Sequence, residues 1–542
     1  MVSPRQEQGP AAPFAAKAPL NPKPTDETIK ETFESIVIAF ILAFIFRAFV
    51  VEAFVIPTGS MAPTLLGQHV RVTDAQSGYV FNVDADGPAL LAREQTAVSP
   101  MTRFPNVLQA GTRTRAGDRI LVQKYIYMIS EPKRWDVVVF KNPQALNDDQ
   151  SPGPSINYIK RLIGLPDEQL TLFDGNVYAK PVGNNPFAIA RKTDRSKLQR
   201  AVFQPIYHSQ FIPLDGGHDR EHDGRSFAWQ TPWVAQGDTQ SQWQIDGRRS
   251  YVYTGTKPGE ITFDFARGDY HRPDMMYPYN QLRRTMRPEP IEDVRVAVTI
   301  EPAHAGLALE LSTTARLNNR HSPIERLVAR VDALGKLTLE AMDPKRQTAG
   351  RALAQPVEVG PLVPGRSTQV ELWYVDQEAS VWIDGQKVTQ FRYELTLEQL
   401  KARPAPASLP KVRIGISQGS ATLHQVQLDR DLYYAVRPLS QRARGGLERM
   451  GEHVIGEPLR IGADQFFCMG DNSPMSHDGR FWGSTDAWVK RRLFPYNRDP
   501  NGLVPRELMV GRAFFVYFPA PFPYRTNRPG VFPNFADMRF IH

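Results

Sequence analysis

Two short segments carry residue types able to do hydrolytic chemistry. The first runs from Phe54 to Leu65 and presents Ser60 directly after Gly59, between Pro57 and Pro63. Taken alone, a serine in that setting reads better as a turn residue. The second runs from Tyr158 to Pro166 and sets Lys160 among Ile159, Leu162 and Ile163. A strand lysine ordinarily points to solvent, so neither residue is informative by itself. A third pattern, His218 to His222 with Glu221 between, has the spacing of an inverted zinc-protease signature. That chemistry needs a helix to bring both histidines to one face. Gly216, Gly217, Asp223 and Gly224 enclose the stretch, so no metal is expected there.

A further segment, Gly470 to Gly483, holds Asp471, Asn472, Ser476, Asp478 and Arg480. Together with the Ser60 and Lys160 segments, and with Gly117 to Val122 and Asp136 to Lys141, it gives five blocks in a fixed order. In content and order these blocks closely resemble the bacterial type I signal peptidase family, over about residues 35 to 180 and 440 to 519. The resemblance implies that Ser60 is the nucleophile and Lys160 the general base. A serine hydroxyl is a poor nucleophile until a base takes its proton, and a lysine is that base only when neutral. Burial favours the neutral amine, and the apolar neighbours of Lys160 suit it.

By the same resemblance Ser476 orients the lysine amine, Asp478 and Arg480 form a supporting ion pair, and the Thr58 hydroxyl joins the Ser60 amide in an oxyanion site. Phe54, Ile56, Pro57, Met61, Leu65, Val139, Phe140, Tyr158 and Ile159 are implied to surround shallow pockets for small residues, which fits cleavage after a small-x-small motif. Gly479 stands where relatives often carry serine. Some larger relatives place a cysteine-bearing metal knuckle between Leu66 and Gly117; Asp74 to Tyr79 contains no cysteine, so no zinc is expected. No cofactor is implied.

These residues need elements to hold them. From Ile36 to Phe46 eleven residues are apolar without a break, and the character continues through Val51 past Arg47. Ser35 to Val51 is near the lower limit of about 17 residues for a membrane-crossing helix, and Arg47 can snorkel to the interface. The chain is therefore expected to carry a flexible tail over 1–34 and an anchor with its lead-in over 35–56. Catalytic β-structure follows over 57–199 and resumes over 437–542. Between them, alternating apolar positions at Val294, Val296, Val298 and Ile300, at Leu307, Leu309 and Leu311, at Val370, Leu372 and Tyr374, and at Val412, Ile414 and Ile416 have the period of half-buried strands. Asp384 and Gly385 mark a hairpin.

The expected fold is mainly β: an antiparallel catalytic domain with one N-terminal transmembrane helix and a β-sandwich inserted over 200–436. Through Val370 to Asp376, Val381 to Gly385 and Leu428 to Tyr434 the insertion resembles, less specifically, a concanavalin-like sandwich of the laminin-G type. Large peptidases with such an insertion resemble those of planctomycete-type bacteria. Lys160 precedes the insertion and Ser476 follows it, so its ends must return close together. It is expected to fold alone and to be dispensable for cutting a short peptide.

Composition removes other classes. Lys plus Arg number 65 against 57 Asp plus Glu, an excess of 8 spread over 542 residues with no basic stripe, which argues against nucleic acid. The single cysteine, Cys468, excludes an intrachain disulfide and a cysteine-rich zinc site. The expected partners are signal-peptide-bearing preproteins and membrane lipid, with an unassigned partner or glycan for the sandwich. The expected location is the cytoplasmic membrane, with the catalytic part on its outer face. Two rivals remain: a membrane-tethered binding protein with a relict peptidase part, and a soluble self-cleaving repressor. Joint presence of Ser60, Lys160 and Ser476 speaks against the first. The apolar run, and the lack of a DNA-binding helical segment ahead of Ser60, speak against the second.

Overall fold

The computed structural model describes residues 26–45, 50–85, 91–144, 156–183, 185–214, 220–222, 225–227, 229–267, 278–282, 291–317, 324–343, 350–401, 410–434, 458–482, 485–494, 502–521 and 534–542. Met1–Glu52 and Ala53–His542 are separate compact units.

The first unit contains helix α1, Asp26–Ile45. Its opening turns are polar, from Asp26 to Glu34, and its apolar part from Ser35 to Ile45 spans only about 16 Å at 1.5 Å per residue. Among the described residues no helix is long and apolar enough to cross a membrane. The expected anchor therefore stands as a helix whose apolar part is described only to Ile45; residues 46–49, over which the apolar run continues, lie outside the described residues.

The second unit is almost wholly β. The five blocks read from the sequence lie on, or directly follow, strands of one antiparallel sheet that contains β1 (Val51–Val55), β2 (Arg119–Gln123), β3 (Val137–Lys141), β4 (Asn157–Gly164), β5 (Gln465–Met469), β6 (Leu503–Pro505) and β7 (Met509–Phe518). Its strand order is β1-β2-β7-β3-β4-β5-β6. Strand β4 lies between β3 and β5, so the chain from before the insertion and the chain from after it meet at Lys160. In register, Val138 faces Lys160 and Val139 faces Ile159 across β3 and β4, and Met469 pairs with Arg161 across β4 and β5.

The middle of the chain forms two further sheets. One runs in order through Trp243–Gln244, Tyr251–Tyr253, Ala421–Arg430, Val294–Pro302, Thr368–Val375, Glu378–Ile383 and Gln386–Arg392. The other runs through Trp233–Gln236, Gly259–Phe263, Arg413–Ser417, Ala308–Ala315, Glu325–Val331, Lys336–Met342 and Arg351–Ala352. Val296, Val298, Leu372 and Leu423 from the first share one buried cluster with Leu309, Leu311, Ile414 and Ile416 from the second. That shared core makes the pair a sandwich, and the alternating positions read from the sequence are its inward-facing residues.

Both ends of this insertion also join the catalytic core. Gln204–His208 pairs with Ala421–Arg430, with Gln204 opposite Arg430. Leu198, Val202, Leu432 and Tyr434 pack with Trp135, Leu162 and Phe467 of the catalytic sheet. Beside them the buried Lys192 ammonium bridges Asp376 at 2.5 Å and Asp431 at 3.1 Å. Of the segment with zinc-protease spacing, Arg220–His222 is a strand paired with Arg225–Phe227, and His218 lies outside the described residues.

Candidate active site

Strand β1 ends at Val55, and Pro57 cannot extend a ladder because it has no N–H to donate. The chain turns there into one short 3-10 turn, Gly59–Met61. Met61 and Leu65 drop into a cluster with Ile56, Ile120, Val122, Val137 and Val139, which fixes the turn against β2 and β3. Ser60 is left half-buried at the rim. The amine of Lys160, delivered by β4, donates to Ser60 Oγ at 2.6 Å across 100 residues of sequence. The Thr58 hydroxyl, exposed beside them, donates to Ser60 Oγ at 3.5 Å.

Lys160 is only 4 % exposed. Burial disfavours its ammonium form and pulls its pKa down to about 8, while Asp478 opposes the shift and Arg480 assists it. At mild alkaline pH a large share of the amine is neutral and within reach of a hydroxyl proton. Buried Cys468 lies near enough to affect the same amine, and burial pushes its thiol far up, so it stays neutral.

The Gly470 segment closes the site from the other side. Asp478 and Arg480 form a buried two-point ion pair, with Nε to Oδ1 at 2.8 Å and Nη2 to Oδ2 at 2.7 Å. Arg480 also donates to the Ser473 hydroxyl at 2.8 Å and the Ser473 carbonyl at 3.0 Å. Burial alone would raise the Asp478 carboxyl; Arg480 and the Gly470 N–H, which donates at 2.8 Å, hold it below the usual range. Ser476 is buried in the same loop, beside Gly470 and the Ser60 carbonyl. Its hydroxyl lies near enough to Asp478 to help lower that carboxyl. Among the described residues it is not aligned as a hydrogen bond to any side chain or backbone group, Lys160 included. Gly479 has no room for the serine of relatives: a Cβ there would lie 2.7 Å from Gly502 O and 2.8 Å from Phe467 Cε2.

The residues suggested for pockets separate onto two faces. Ile56, Met61, Leu65 and Val139 are buried in the cluster beneath Ser60, with Phe54 and Ile159 half-buried at its edge. Pro57 is exposed. Phe140 is buried on the opposite face of β3, where its ring and that of half-buried Tyr158 meet Trp482.

Several residues at the site had no assigned role in the sequence reading. Arg161, next to Lys160, forms a buried two-point pair with Asp471 at 2.7 and 2.6 Å, and Asp471 also accepts from the Thr64 hydroxyl at 2.5 Å. Asn472 donates its backbone N–H to Ser60 O at 3.1 Å and its side-chain N–H to Gly59 O at 2.9 Å. Asp471 and Asn472 stood within a block already singled out. Tyr279 and Asn280, which also reach this turn, lie in a stretch with no periodic pattern to mark them.

The chain matches the model of the family described as signal peptidase, peptidase S26, over residues 29–93, 109–226 and 370–518, more than half of its length. It is 28 % identical over 154 residues to signal peptidase I of Rickettsia typhi (strain ATCC VR-144 / Wilmington), a stretch that is 28 % of this chain and 44 % of that protein. With signal peptidase I of Leptolyngbya laminosa the identity is 28 % over 175 residues, 32 % of this chain and 59 % of that protein. The chain thus spans less than two thirds of the length of these curated relatives. Among solved structures, the carbohydrate binding module CBM66 from Bacillus subtilis aligns at 10 % identity and a TM-score of 0.22, covering 37 % of this chain and 96 % of its own. The Emp46p carbohydrate recognition domain aligns at 12 % and 0.24, covering 36 % of this chain and 88 % of its own. With its blocks matched on both sides of the insertion and meeting at one buried lysine, the chain belongs to the signal peptidase family, peptidase S26.

Proposed function

We propose that this chain is a membrane-anchored type I signal peptidase that removes N-terminal signal peptides from exported preproteins after small-x-small motifs. The observation that carries the reading is the buried Lys160 amine, at 2.6 Å from Ser60 Oγ and with its pKa pulled down to about 8 by burial. Neutral Lys160 takes the Ser60 proton as Oγ attacks the scissile carbonyl carbon. The developing oxyanion receives the Ser60 N–H and the Thr58 hydroxyl. The Lys160 ammonium then gives its proton to the leaving amine, and a water activated by the same amine frees the acylated serine. Asp478 and Arg480 hold the loop that buries Lys160, and Ser476 lies within that loop.

Half-buried Phe54 and Ile159 and exposed Pro57, beside the cluster under Ser60, support a shallow apolar contact for small side chains. The anchor reading rests on the apolar run beyond Ser35. Within α1, Phe33, Ile36, Ile38, Phe40, Ile41, Leu42 and Phe44 are all exposed, a surface suited to lipid. The sandwich serves as a scaffold or docking lobe.

Ser60→Ala and Lys160→Ala should each abolish cleavage of a preprotein with an Ala-x-Ala site in the purified full chain. The double variant should be no worse than either, because the two act as one unit. Full activity in either folded variant would overturn the mechanism.

A further inference from the structure

The inserted lobe does not stay apart from the hydrolytic site. Between its strands Gly259–Phe263 and Val294–Pro302 the chain reaches the catalytic sheet, where a short 3-10 turn, Pro278–Asn280, lies against the Ser60 turn. Tyr279 is 3 % exposed and Asn280 is fully buried. The Tyr279 ring covers Gly59 so closely that a Cβ at that position would sit 2.3 Å from its Cε1. Asn280 and Asn472 form a reciprocal amide pair: Asn280 Nδ2 donates to Asn472 Oδ1 at 2.7 Å, and Asn472 Nδ2 donates to Asn280 Oδ1 at 2.9 Å.

The Gly59 carbonyl, which can only accept, fixes which way the Asn472 amide faces, and the pairing with Asn280 holds it there. With its oxygen turned to Asn280, its NH2 group is free to serve Asn280 and Gly59 O together, the latter at 2.9 Å. The Asn472 backbone N–H holds Ser60 O at 3.1 Å. Both carbonyls that flank the Ser60 amide are therefore pinned by one residue, and the side chain of that residue is held in place by Asn280. The turn is itself tied down on its far side, where Gln281 Oε1 accepts from Val98 N–H at 2.5 Å and Leu282 packs on the cluster of Val70 and Val83. Tyr279 and Asn280 lie between the stretches that match the family model.

We propose that Tyr279 and Asn280 are positioning residues of the hydrolytic site: the inserted lobe clamps the Gly59–Ser60 backbone, holding Ser60 Oγ toward Lys160 and the Ser60 N–H toward the oxyanion. This rests on the reading of Ser60 as the nucleophile. A clamp of this kind acts on the reaction step rather than on substrate affinity. A misplacement of about 1 Å in a catalytic group costs about 100-fold in rate.

The test measures steady-state cleavage of a peptide with an Ala-x-Ala site by the purified full chain, with folding of each variant followed by near-ultraviolet circular dichroism and thermal melting. Asn280→Ala should lower kcat per folded molecule at least tenfold while KM stays within twofold. Tyr279→Ala should do the same, and Tyr279→Phe, which keeps the ring over Gly59, should restore kcat to within threefold of the parent. Asn280→Asp still accepts from Asn472 but, when ionised, donates nothing, and it should fall below the parent in kcat. If Asn280→Ala does not fold, Asn280→Asp decides on the same criterion of kcat with KM unchanged. A folded Asn280 variant with kcat within twofold of the parent overturns the clamp. Failure of the parent chain itself to cut the peptide overturns the reading of Ser60 instead.

Discussion

Lys160 is a buried amine that titrates within an accessible range, and its neighbours make opposite demands on it. With its pKa at about 8, kcat/KM should rise about tenfold per pH unit below that value and level off above it, in a pH–rate series on a peptide substrate. Arg480 pushes the amine toward neutrality and Asp478 away from it. Removing the guanidinium in Arg480→Met should move the midpoint of that profile to higher pH. Asp478→Asn should move it lower. Arg480→Met also leaves a buried carboxylate unpaired, a loss of about 3–5 kcal/mol in denaturant unfolding. Stability follows the same amine. Its folded pKa lies below its unfolded one, so between about 8 and the usual lysine value the unfolded chain binds a proton that the folded chain does not, and stability rises with pH there. At pH 7 Lys160→Met should therefore stabilise the fold by about 3 kcal/mol while abolishing cleavage, and that gain should fade above about pH 10.5.

At the scale of elements, the strands around the site were legible wherever a short apolar stretch was bounded by Gly, Pro or Asp. Strands β3 and β4 fall on two of the blocks read from the sequence, Asp136 to Lys141 and Tyr158 to Pro166, within two residues at each end. The period-two positions of the insertion became the shared core of its two sheets, as Val296, Leu372 and Ile414 illustrate. What periodicity does not carry is the direction of a residue relative to a site on another strand. Val139 and Phe140 are neighbours in sequence, yet the two-residue period sends Val139 under Ser60 and Phe140 to the Trp482 face. Nor does a sequence block show what its small residues make room for. Gly479 reads as a mild departure from relatives until Gly502 O and Phe467 are seen against it. Gly479→Ser should cost about 1–3 kcal/mol in thermal or denaturant unfolding, because backbone must shift to admit the side chain. A stability equal to the parent's would mean that the loop yields freely.

For the whole molecule, the insertion looked separable on sequence alone because its strands carry their own apolar pattern and its ends must meet. Its ends do meet, at Gln204 and Arg430. The contacts of Tyr279 and Asn280 at the Ser60 turn point against dispensability: replacing the insertion with a short Gly and Ser linker should lower kcat on a short peptide at least tenfold even when the remainder folds. No local pattern announces a turn whose partner lies 192 residues away. The anchor gives a topological expectation. In sealed right-side-out cells, added protease should degrade the part after Ile56 and spare an epitope placed before Glu34. Protection of the later part would reverse the orientation. The order of the blocks also sets when such an enzyme comes alive. Synthesis delivers Ser60 first and Lys160 next, but the strand β5 and the loop that bury the amine come more than 300 residues later. A growing chain that has exposed its serine and lysine still holds a solvated, charged amine beside an inert hydroxyl. On the proposed mechanism, the buried, neutral amine arises only when the last third of the chain has been made and has docked, so a half-finished copy has no base beside its serine.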